Sequence, residues 1–446
     1  MTRRSTVIAF LLLLVTALPA RAVEVQRVTS EGGIEAWLVE DHGNPIISLD
    51  LAFRGGAALD PPGKEGLANM VSGLIDEGAG GLDSQAFQGR LQDLSIRLRF
   101  SAGLDSFGGE LRTLTENRET AFELLRLALT EPRFDAEPVA RIRSQILAGL
   151  ARDAEDPQTI VGRILSKLFF PEHAYGRPVD GTLESVSALT VEDLRRFVAE
   201  RFGRDNLVIG VAGDISAPEL ARLLDQTFLG LPVRAAPADL PETAPRSAGE
   251  VVVVERDVPQ SVVALGHAGV KRDDPDFYAA YVVNHILGGG GFSSRLYAEV
   301  RDKRGLAYSV YSYLNPYEHA GLVLGGVATE NSRVKQSLDL IRREWRRMAE
   351  EGPSEAELEA TKTYLTGSFP LRFSSTGRIA GMLVSMQLQD LGIDHLDRRN
   401  ALIEAVTLED ARRVARRLFD ADRLTVVVVG RPEGVSPTRP APEIKS

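Results

Sequence analysis

Residues 188–213 read ALTVEDLRRFVAERFGRDNLVIGVAG, and residues 405–430 read AVTLEDARRVARRLFDADRLTVVVVG. The two segments align without a gap, and eleven of their 26 positions are identical. Each predicts a threonine N-cap, an amphipathic helix, a short turn and an apolar strand. The distance between the copies is far longer than the repeat of a solenoid, about 20–50 residues, so it indicates duplication of a whole domain.

A second, shorter sequence repeat supports the duplication. The tripeptide TEN occurs at 115–117 and again at 329–331, each time after a predicted strand and before a predicted helix. Successive strands followed by long helices favour an α+β fold. We therefore predict two homologous lobes, each a mostly antiparallel sheet with helices packed on one face, that together form a clamshell.

The boundaries of the two lobes follow from composition. Residues 231–250 are rich in proline and alanine, which predicts an extended, semi-rigid linker. The N-terminal domain then covers 23–230 and the C-terminal domain 251–432. The polar, proline-containing stretch 433–446 predicts a disordered tail.

The N-terminus has the features of a targeting segment. Arg3 and Arg4 precede an apolar run, and residues 20–22 read ARA, the A-x-A pattern of a cleavage site. We predict a signal peptide over 1–22 and a periplasmic or secreted protein. The apolar run is too short to span a bilayer, and without a cysteine no lipid can be attached there, so we expect no membrane anchor. The net charge of −10 argues against nucleic acid as a partner.

The stretch GLANMVSGLIDEG at 66–78 has the apolar spacing of an amphipathic helix. Its opposite face carries Asn69, Ser72, Gly73 and Asp76. Glycine inside a helix costs about 0.5–1 kcal/mol relative to alanine, so the polar face calls for an explanation.

Three segments together resemble the pitrilysin/insulinase-type metallopeptidases, the inverzincins. They are GGAALDPPGKEGLANMVSGLIDEGAGG (55–81), the segment 173–215 with its YGRP and SALT motifs, and GGGGFSSRLYAEVRDKRGLAYSVYSYLNPYEHAG (288–321). The resemblance implies that both domains are peptidase-like. Active members carry H-x-x-E-H on the entry helix, where two histidines bind zinc and the glutamate is the general base.

The resemblance places the zinc site on residues that cannot form one. The first histidine falls on Asn69, the glutamate on Ser72, the second histidine on Gly73, and the distal glutamate ligand on Gly149. Glycine has no ligand atom, and a serine hydroxyl is too weak a base to replace a carboxylate. A degenerate site that combines Asn69 with Asp76 and Glu65 is the alternative. No two of the six histidines have the i, i+3 or i, i+4 spacing of a local metal motif; they are His42, His173, His267, His285, His319 and His395.

In the second half, the resemblance assigns a role to Arg301 and Tyr308. In the family, an arginine and a tyrosine at this spacing hold the substrate and stabilise the tetrahedral intermediate. A guanidinium is a permanent cation with several donors, and a phenol donates one directed hydrogen bond, which suits both roles. Arg304 and Tyr311 have the same spacing and form a rival pair. The glycine run 288–291 lacks a P-loop ending and predicts a permissive turn.

The resemblance thus implies the zinc-free subunit of a heterodimeric zinc metallopeptidase that degrades peptides. The chain alone would be inactive and hold no cofactor, and a homologous partner subunit would supply zinc and H-x-x-E-H. Two alternatives stay open: a non-catalytic peptide-binding or scaffolding protein, and an autonomous peptidase with an unusual metal site.

Overall fold

The fold is built on two β-sheets, one in each half of the chain. The computed structural model describes residues 24–444, so the signal peptide predicted over 1–22 lies outside the described residues. The strands of the first sheet are β1 (Gln26–Thr29), β2 (Glu35–Glu40), β3 (Ile46–Arg54), β4 (Arg97–Ala102), β5 (Ser106–Leu114) and β6 (Leu207–Gly213). Those of the second are β7 (Val251–Glu255), β8 (Gln260–Ala268), β9 (Ala307–Pro316), β10 (Gly321–Glu330) and β11 (Thr425–Gly430).

The two sheets have the same topology. The first has the order β1-β2-β6-β3-β5-β4 and the second the order β7-β11-β8-β10-β9, so β1 is an addition to a shared five-strand plan. In each sheet one pair is parallel, β2 with β6 and β7 with β11, and the remaining pairs are antiparallel. The predicted α+β class with two homologous lobes is confirmed.

Within residues 24–444 the first lobe has eight α-helices and the second has six. In the first they are α1 (Leu67–Ser72), α2 (Ser84–Asp93), α3 (Arg118–Thr130), α4 (Ala136–Asp153), α5 (Pro157–Phe169), α6 (Leu183–Ala188), α7 (Val191–Arg201) and α8 (Ala217–Phe228). In the second they are α9 (Phe277–Asn284), α10 (Val334–Glu351), α11 (Glu355–Gly367), α12 (Thr376–Leu388), α13 (His395–Glu404) and α14 (Leu408–Leu418). Helices α2 and α8 have no α-helical counterpart in the second lobe, and the other six follow in the same order, so α1 corresponds to α9, α4 to α11, and α5 to α12.

The duplicated segments fold alike. Thr190 begins α7 and Thr407 begins α14, each with a reciprocal capping box in which the third residue of the helix is an aspartate. The strands that follow, β6 and β11, lie inside their sheets, and every residue of β11 is buried. The sequence repeat therefore marks the two central strands and the helices that lead into them.

Each lobe lends a helix to the sheet of the other lobe. Helix α5 packs on β8 and β11 of the second sheet, and helix α12 packs on β3 and β6 of the first. Both sheets thus carry helices of their own lobe on one face and an exchanged helix on the other, whereas the sequence predicts helices on one face only. The burial of β11 is consistent with helices on both faces of the sheet, because side chains on the two sides of a strand are all buried only if both faces are covered.

The packing of α12 on the first sheet depends on a glycine and on polar contacts. A Cβ atom at Gly210 would lie 2.8 Å from Cβ of Leu383, so only glycine allows this approach. Arg54 donates to the carbonyl oxygens of Leu388 at 2.8 Å and Gln387 at 2.6 Å, which caps the C-terminus of α12. These contacts fix the angle between the lobes.

The linker and the tail have no regular secondary structure, but both are held by hydrogen bonds. In the linker, the backbone amide of Arg246 donates to the carbonyl of Phe169 at 3.0 Å. In the tail, for which the sequence predicts disorder, the amide of Thr438 donates to the carbonyl of Val251 at 2.8 Å. None of the described helices combines the length and the apolar content that crossing a bilayer takes.

Substituting Gly210 tests the exchanged helix. Gly210→Ala pushes a methyl group into the backbone of α12, so we expect the free energy of unfolding to fall by about 1–3 kcal/mol. Gly162→Ala is the matched control because Gly162 lies in helix α5 with nothing within 4 Å of its added Cβ. It should raise the stability by about 0.5–1 kcal/mol. Urea unfolding measures both, and equal effects of the two variants would contradict this account of the packing.

Asp50 makes the same interface sensitive to pH. Its carboxylate lies under α12, where an added Cβ at Gly381 would be 2.7 Å from Oδ2, and Glu110 lies opposite on β5. Burial, with a smaller contribution from Glu110, raises the pKa of Asp50 to about 7. Because the pKa is higher in the folded state than in the unfolded chain, ionisation opposes folding, and stability is lost as the pH rises from about 4 to 7.

Asp50→Asn should therefore stabilise the protein at pH 8 and change it little at pH 4. The gap between the two pKa values sets an upper limit of about 4 kcal/mol on the gain at pH 8. Thermal unfolding at both pH values measures the difference, with Asp397→Asn at an exposed position as control. A gain of equal size at pH 4 would rule out the ionisation of Asp50 as its cause.

Candidate functional site

The first candidate site is the polar face of α1. The helix is shorter than the sequence predicts, because it ends at Ser72 and Gly73 is its C-cap, with φ −85° and ψ −5°. Five of its six residues are buried, so it is held by the core of the first lobe. Gly73 thus stands at the end of a helix, where its cost is smaller than in the middle.

The four positions that correspond to the zinc site carry no set of metal ligands. The hydroxyl of Ser72 donates to the carbonyl oxygen of Asn69 at 2.8 Å and is therefore used locally. A Cβ at Gly73 would lie 3.3 Å from Cγ2 of Ile142 on α4, so the neighbouring helix has closed on the position of the missing side chain. At Gly149, also on α4, no side chain projects toward α1. These residues do not fit a zinc ion.

The degenerate alternative is not assembled either. Glu65 accepts from the amide of Gly63 at 3.1 Å and lies 3.9 Å from Arg177, which turns it toward the 173–185 segment. Burial raises the pKa of Asp76 to about 6, which weakens it further as a ligand at neutral pH. Within residues 24–444, no three histidine, aspartate or glutamate side chains converge as a metal site would require.

The second candidate site lies where the second lobe turns from a helix into its edge strand. A wide helical segment, Tyr297–Asp302, follows the serine at 294 and ends at a turn around Gly305, which has a φ of +60°. Strand β9 begins at Ala307, so the chain doubles back and brings Arg301 next to Tyr308.

The guanidinium of Arg301 lies among three aromatic rings. Its Cζ is 4.6 Å from the ring centroid of Tyr297, 4.9 Å from that of Tyr308 and 5.5 Å from that of Phe292. No carboxylate among the described residues lies within ion-pair distance of it. Tyr308 is 84% exposed and Phe292 78% exposed, whereas Tyr297, the nearest ring, is buried, so the cation packs on one buried ring and lies beside two that face solvent. Cation–π contacts of this kind orient a guanidinium and leave its N–H donors available.

The rival pair is engaged elsewhere. Arg304 donates to a carboxylate oxygen of Glu299 at 2.7 Å and to the backbone carbonyl of the same residue at 2.8 Å. Lys303 and Arg304, the nearest cations, hold the pKa of Glu299 near 2, so this carboxylate stays charged. Tyr311 stacks on Tyr313, with ring centroids 6.1 Å apart. Arg301 and Tyr308 are brought together, whereas Arg304 is neutralised by its own ion pair.

Two residues of this site escape the sequence reasoning. Phe292 and Tyr297 pack against each other with centroids 4.8 Å apart, and both face Arg301. The i, i+4 spacing of Tyr297 and Arg301 is a signal that could have found one of them. Phe292 follows the glycine run, and its approach to Arg301 depends on the turn at Gly291, which has a φ of +56°.

Comparison with known proteins gives consistent matches. Residues 188–365 match the family described as "Peptidase M16 inactive domain". An uncharacterized zinc protease of Streptomyces coelicolor is 32% identical over 75% of this chain and 76% of its own length. The "non-peptidase homolog YmxG" of Helicobacter pylori is 28% identical over 75% of this chain and 77% of its own length.

Solved structures agree with these matches. A peptidase M16 inactive domain from Pseudomonas fluorescens superposes with a TM-score of 0.86 at 29% identity, and the match covers 94% of this chain and 100% of that one. A protease from Helicobacter pylori superposes with a TM-score of 0.82 at 20% identity, over 92% of this chain and 100% of that one, and supports the fold alone.

The side chains on α1 and α4 predict that a chelator leaves the stability of this chain unchanged. A zinc ion bound at a hundred times its Kd would stabilise the folded state by about 2.7 kcal/mol, and its removal would lower Tm. We expect thermal unfolding with and without EDTA to coincide, and metal analysis to find far less than one zinc per chain. A drop in Tm with EDTA, together with stoichiometric zinc, would contradict this interpretation.

Proposed function

Because the chain belongs to the M16 peptidase family and carries its inactive domain, we propose that it is the zinc-free subunit of a heterodimeric zinc metallopeptidase. In this proposal a homologous partner subunit holds the zinc and the general base. This chain contributes Arg301 and Tyr308 to the shared site, where peptides or unfolded segments are cut. We further propose that the mature protein works in the periplasm or outside the cell, after removal of residues 1–22.

The observation that carries the proposal is the state of Arg301. It is an arginine without a carboxylate partner among the described residues, and aromatic rings hold it in place beside an exposed tyrosine. A charged donor that is fixed but not neutralised is ready for an anionic or carbonyl group from outside the chain. Tyr308 is exposed enough to be covered by a partner, and in a site from which water is excluded its hydroxyl would act more strongly than in solution.

The chemical roles follow from the two groups. The guanidinium of Arg301 can hold a peptide carbonyl through its fixed fork of N–H donors. The phenol of Tyr308 can donate one hydrogen bond to the oxyanion that develops when the carbonyl is attacked. The edge strand β9 offers unpaired backbone groups beside this pair, and a substrate could add to it as a further strand.

The exchanged helices support the need for a second subunit. Because α5 and α12 tie the two lobes of this chain together, the lobes are poorly suited to open and close on each other. A chamber around a peptide would then form between this chain and its partner. The alternative of a peptide-binding or scaffolding role is favoured by one observation, the description of the Helicobacter pylori relative as a non-peptidase homolog.

Activity of a mixture tests the proposal. The chain is combined with an H-x-x-E-H relative from the same organism, and hydrolysis of a fluorogenic peptide is compared for each chain alone and for both. We expect activity in the mixture only. Arg301→Ala should lower kcat/KM by about 10²–10³-fold, and Tyr308→Phe should act mainly on kcat.

Arg304→Ala and Tyr311→Phe are the matched controls, because they remove the same groups at the same spacing from residues that are engaged elsewhere. They should keep activity within a fewfold of the unchanged chain. If all four variants leave the rate of the mixture unchanged, the catalytic role is wrong and the scaffold interpretation is favoured. Activity and bound zinc in this chain alone would favour an autonomous peptidase.

A further inference from the structure

A cavity of about 700 Å³ opens in the second lobe between α9, α11, α12 and α13. Helices α9 and α11 correspond to α1 and α4, the helices that carry the four vacated zinc positions in the first lobe. The duplicated fold therefore presents a cavity at the equivalent place, but with other side chains. The side chains that line it include Tyr281, His285, Tyr364, Arg372, Arg378 and Arg399.

Three arginines line the cavity, and none of them has an acidic partner. Arg399 is only 8% exposed, and it donates to the carbonyl of Leu365 at 3.2 Å and to the side-chain oxygen of Asn400 at 3.1 Å. Arg378 donates to the hydroxyl of Ser374 at 2.9 Å. Across residues 24–444, no carboxylate lies within ion-pair distance of these two guanidinium groups or of that of Arg372, and none of the residues that line the cavity is acidic.

A cluster of arginines without acidic partners is unexpected in an acidic chain. The protein carries a net charge of −10, and the neighbouring arginines Arg413 and Arg417, by contrast, both form ion pairs with Asp276. Burial lowers the pKa of Arg399, the neighbouring phenol of Tyr281 opposes this shift, and the positive charge of Arg372 adds to it. A buried cation that faces a second cation is costly unless an anion joins them. The cavity therefore carries an uncompensated positive charge that a bound anion would neutralise.

The walls of the cavity narrow the choice of anion. The ring of His285 stacks on that of Tyr364 at a centroid distance of 5.4 Å, and Leu371 and Met382 add apolar surface. Phe369 packs under the guanidinium of Arg399, with Cζ 4.1 Å from the ring centroid. Such walls suit an organic chain that ends in an acid better than a fully hydrated inorganic ion.

The glycine run links the cavity to the site of Arg301. Gly289 lines the cavity, and Phe292 contacts Arg301 at the other end of the run. At Gly288 an added Cβ would lie 2.5 Å from the backbone nitrogen of Ser312 on β9, so the run is pressed against the edge strand. A peptide bound along β9 at Tyr308 would therefore lie on the strand against which this run packs.

We propose that the cavity is a subsite for the carboxylate of a peptide, either its C-terminus or an acidic side chain, bound by Arg372, Arg378 and Arg399. The inference rests on the proposed function in that the ligand is a peptide substrate. It adds a preference for peptides that carry an anion at a fixed distance from the bond to be cut. Guanidinium groups recognise carboxylates through paired N–H donors, and three of them line this cavity.

Binding to the full chain, without any partner, tests the subsite. Three N-acetylated peptides of one sequence are compared by calorimetry: a neutral C-terminal amide, the free acid, and an amide with one internal glutamate. We expect at least one of the two carboxylate-bearing peptides to bind roughly tenfold more tightly than the neutral amide. The Arg372→Ala/Arg378→Ala double variant should lose this preference. Both residues are exposed, so the fold should survive.

Arg416→Ala is the matched control, because Arg416 is an exposed helical arginine that does not line the cavity. It should keep the preference. Equal affinity for all three peptides, or a preference that persists in the double variant, would overturn the subsite. Inorganic phosphate is titrated separately: binding of phosphate without any preference among the peptides would also overturn it. None of these results depends on the mixture, so Arg301-dependent activity could stand while the subsite fails.

Discussion

The reciprocal packing of α5 and α12 is the constraint on which the rest of the molecule depends. Each helix buries its apolar side on a sheet built by the other half, so neither sheet is covered on both faces within its own lobe. A duplicated chain that folded as two independent lobes would leave two apolar sheet faces in water. The exchange removes them and makes one body of the two lobes. The surface left for function then lies at the sheet edges and on the helix ends that face outward.

This arrangement also explains how α1 keeps its place without a metal ion. Helix α1 is held by the core on its apolar side, with Met70 and Val71 fully buried, and needs no ion to stay in place. Ser72 bonds to its own helix, and Ile142 lies close to Gly73, so neither of these two positions depends on an ion. In the second lobe, Arg301 packs on the buried ring of Tyr297 but also lies beside the exposed rings of Tyr308 and Phe292. Stability alone does not account for a guanidinium that is held there without a carboxylate partner among the described residues.

The sequence predicts the repeated parts of the fold well and the contacts between the halves poorly. Thr190 and Thr407 mark their helices because capping is a local interaction, and the strands after them follow from their apolar runs. The exchange of α5 and α12 is not local, and a helix looks the same in sequence whichever sheet it covers. Among the site residues, Arg301 and Tyr308 could be named from a motif. The cavity around Arg399 could not, because its arginines come from separate helices and only the absence of nearby carboxylates distinguishes them.

Because the fold is duplicated, the space beside α1 and α4 in the first lobe has a counterpart beside α9 and α11 in the second. The side chains that line the two spaces differ in charge. Between α1 and α4, the first copy has only small or neutral groups where ligands of a dication would stand, and a dication finds no counter-charge there. In the second copy, three arginines line the cavity between α9, α11, α12 and α13, and no carboxylate of the described residues lies within ion-pair distance of them, so the subsite proposed there would take an anion. An interhelical gap lined from facing helices is a natural ligand site in either case, since the helix backbones fix the side chains around it. The fold determines where a ligand can bind, and the side chains of each copy determine its charge.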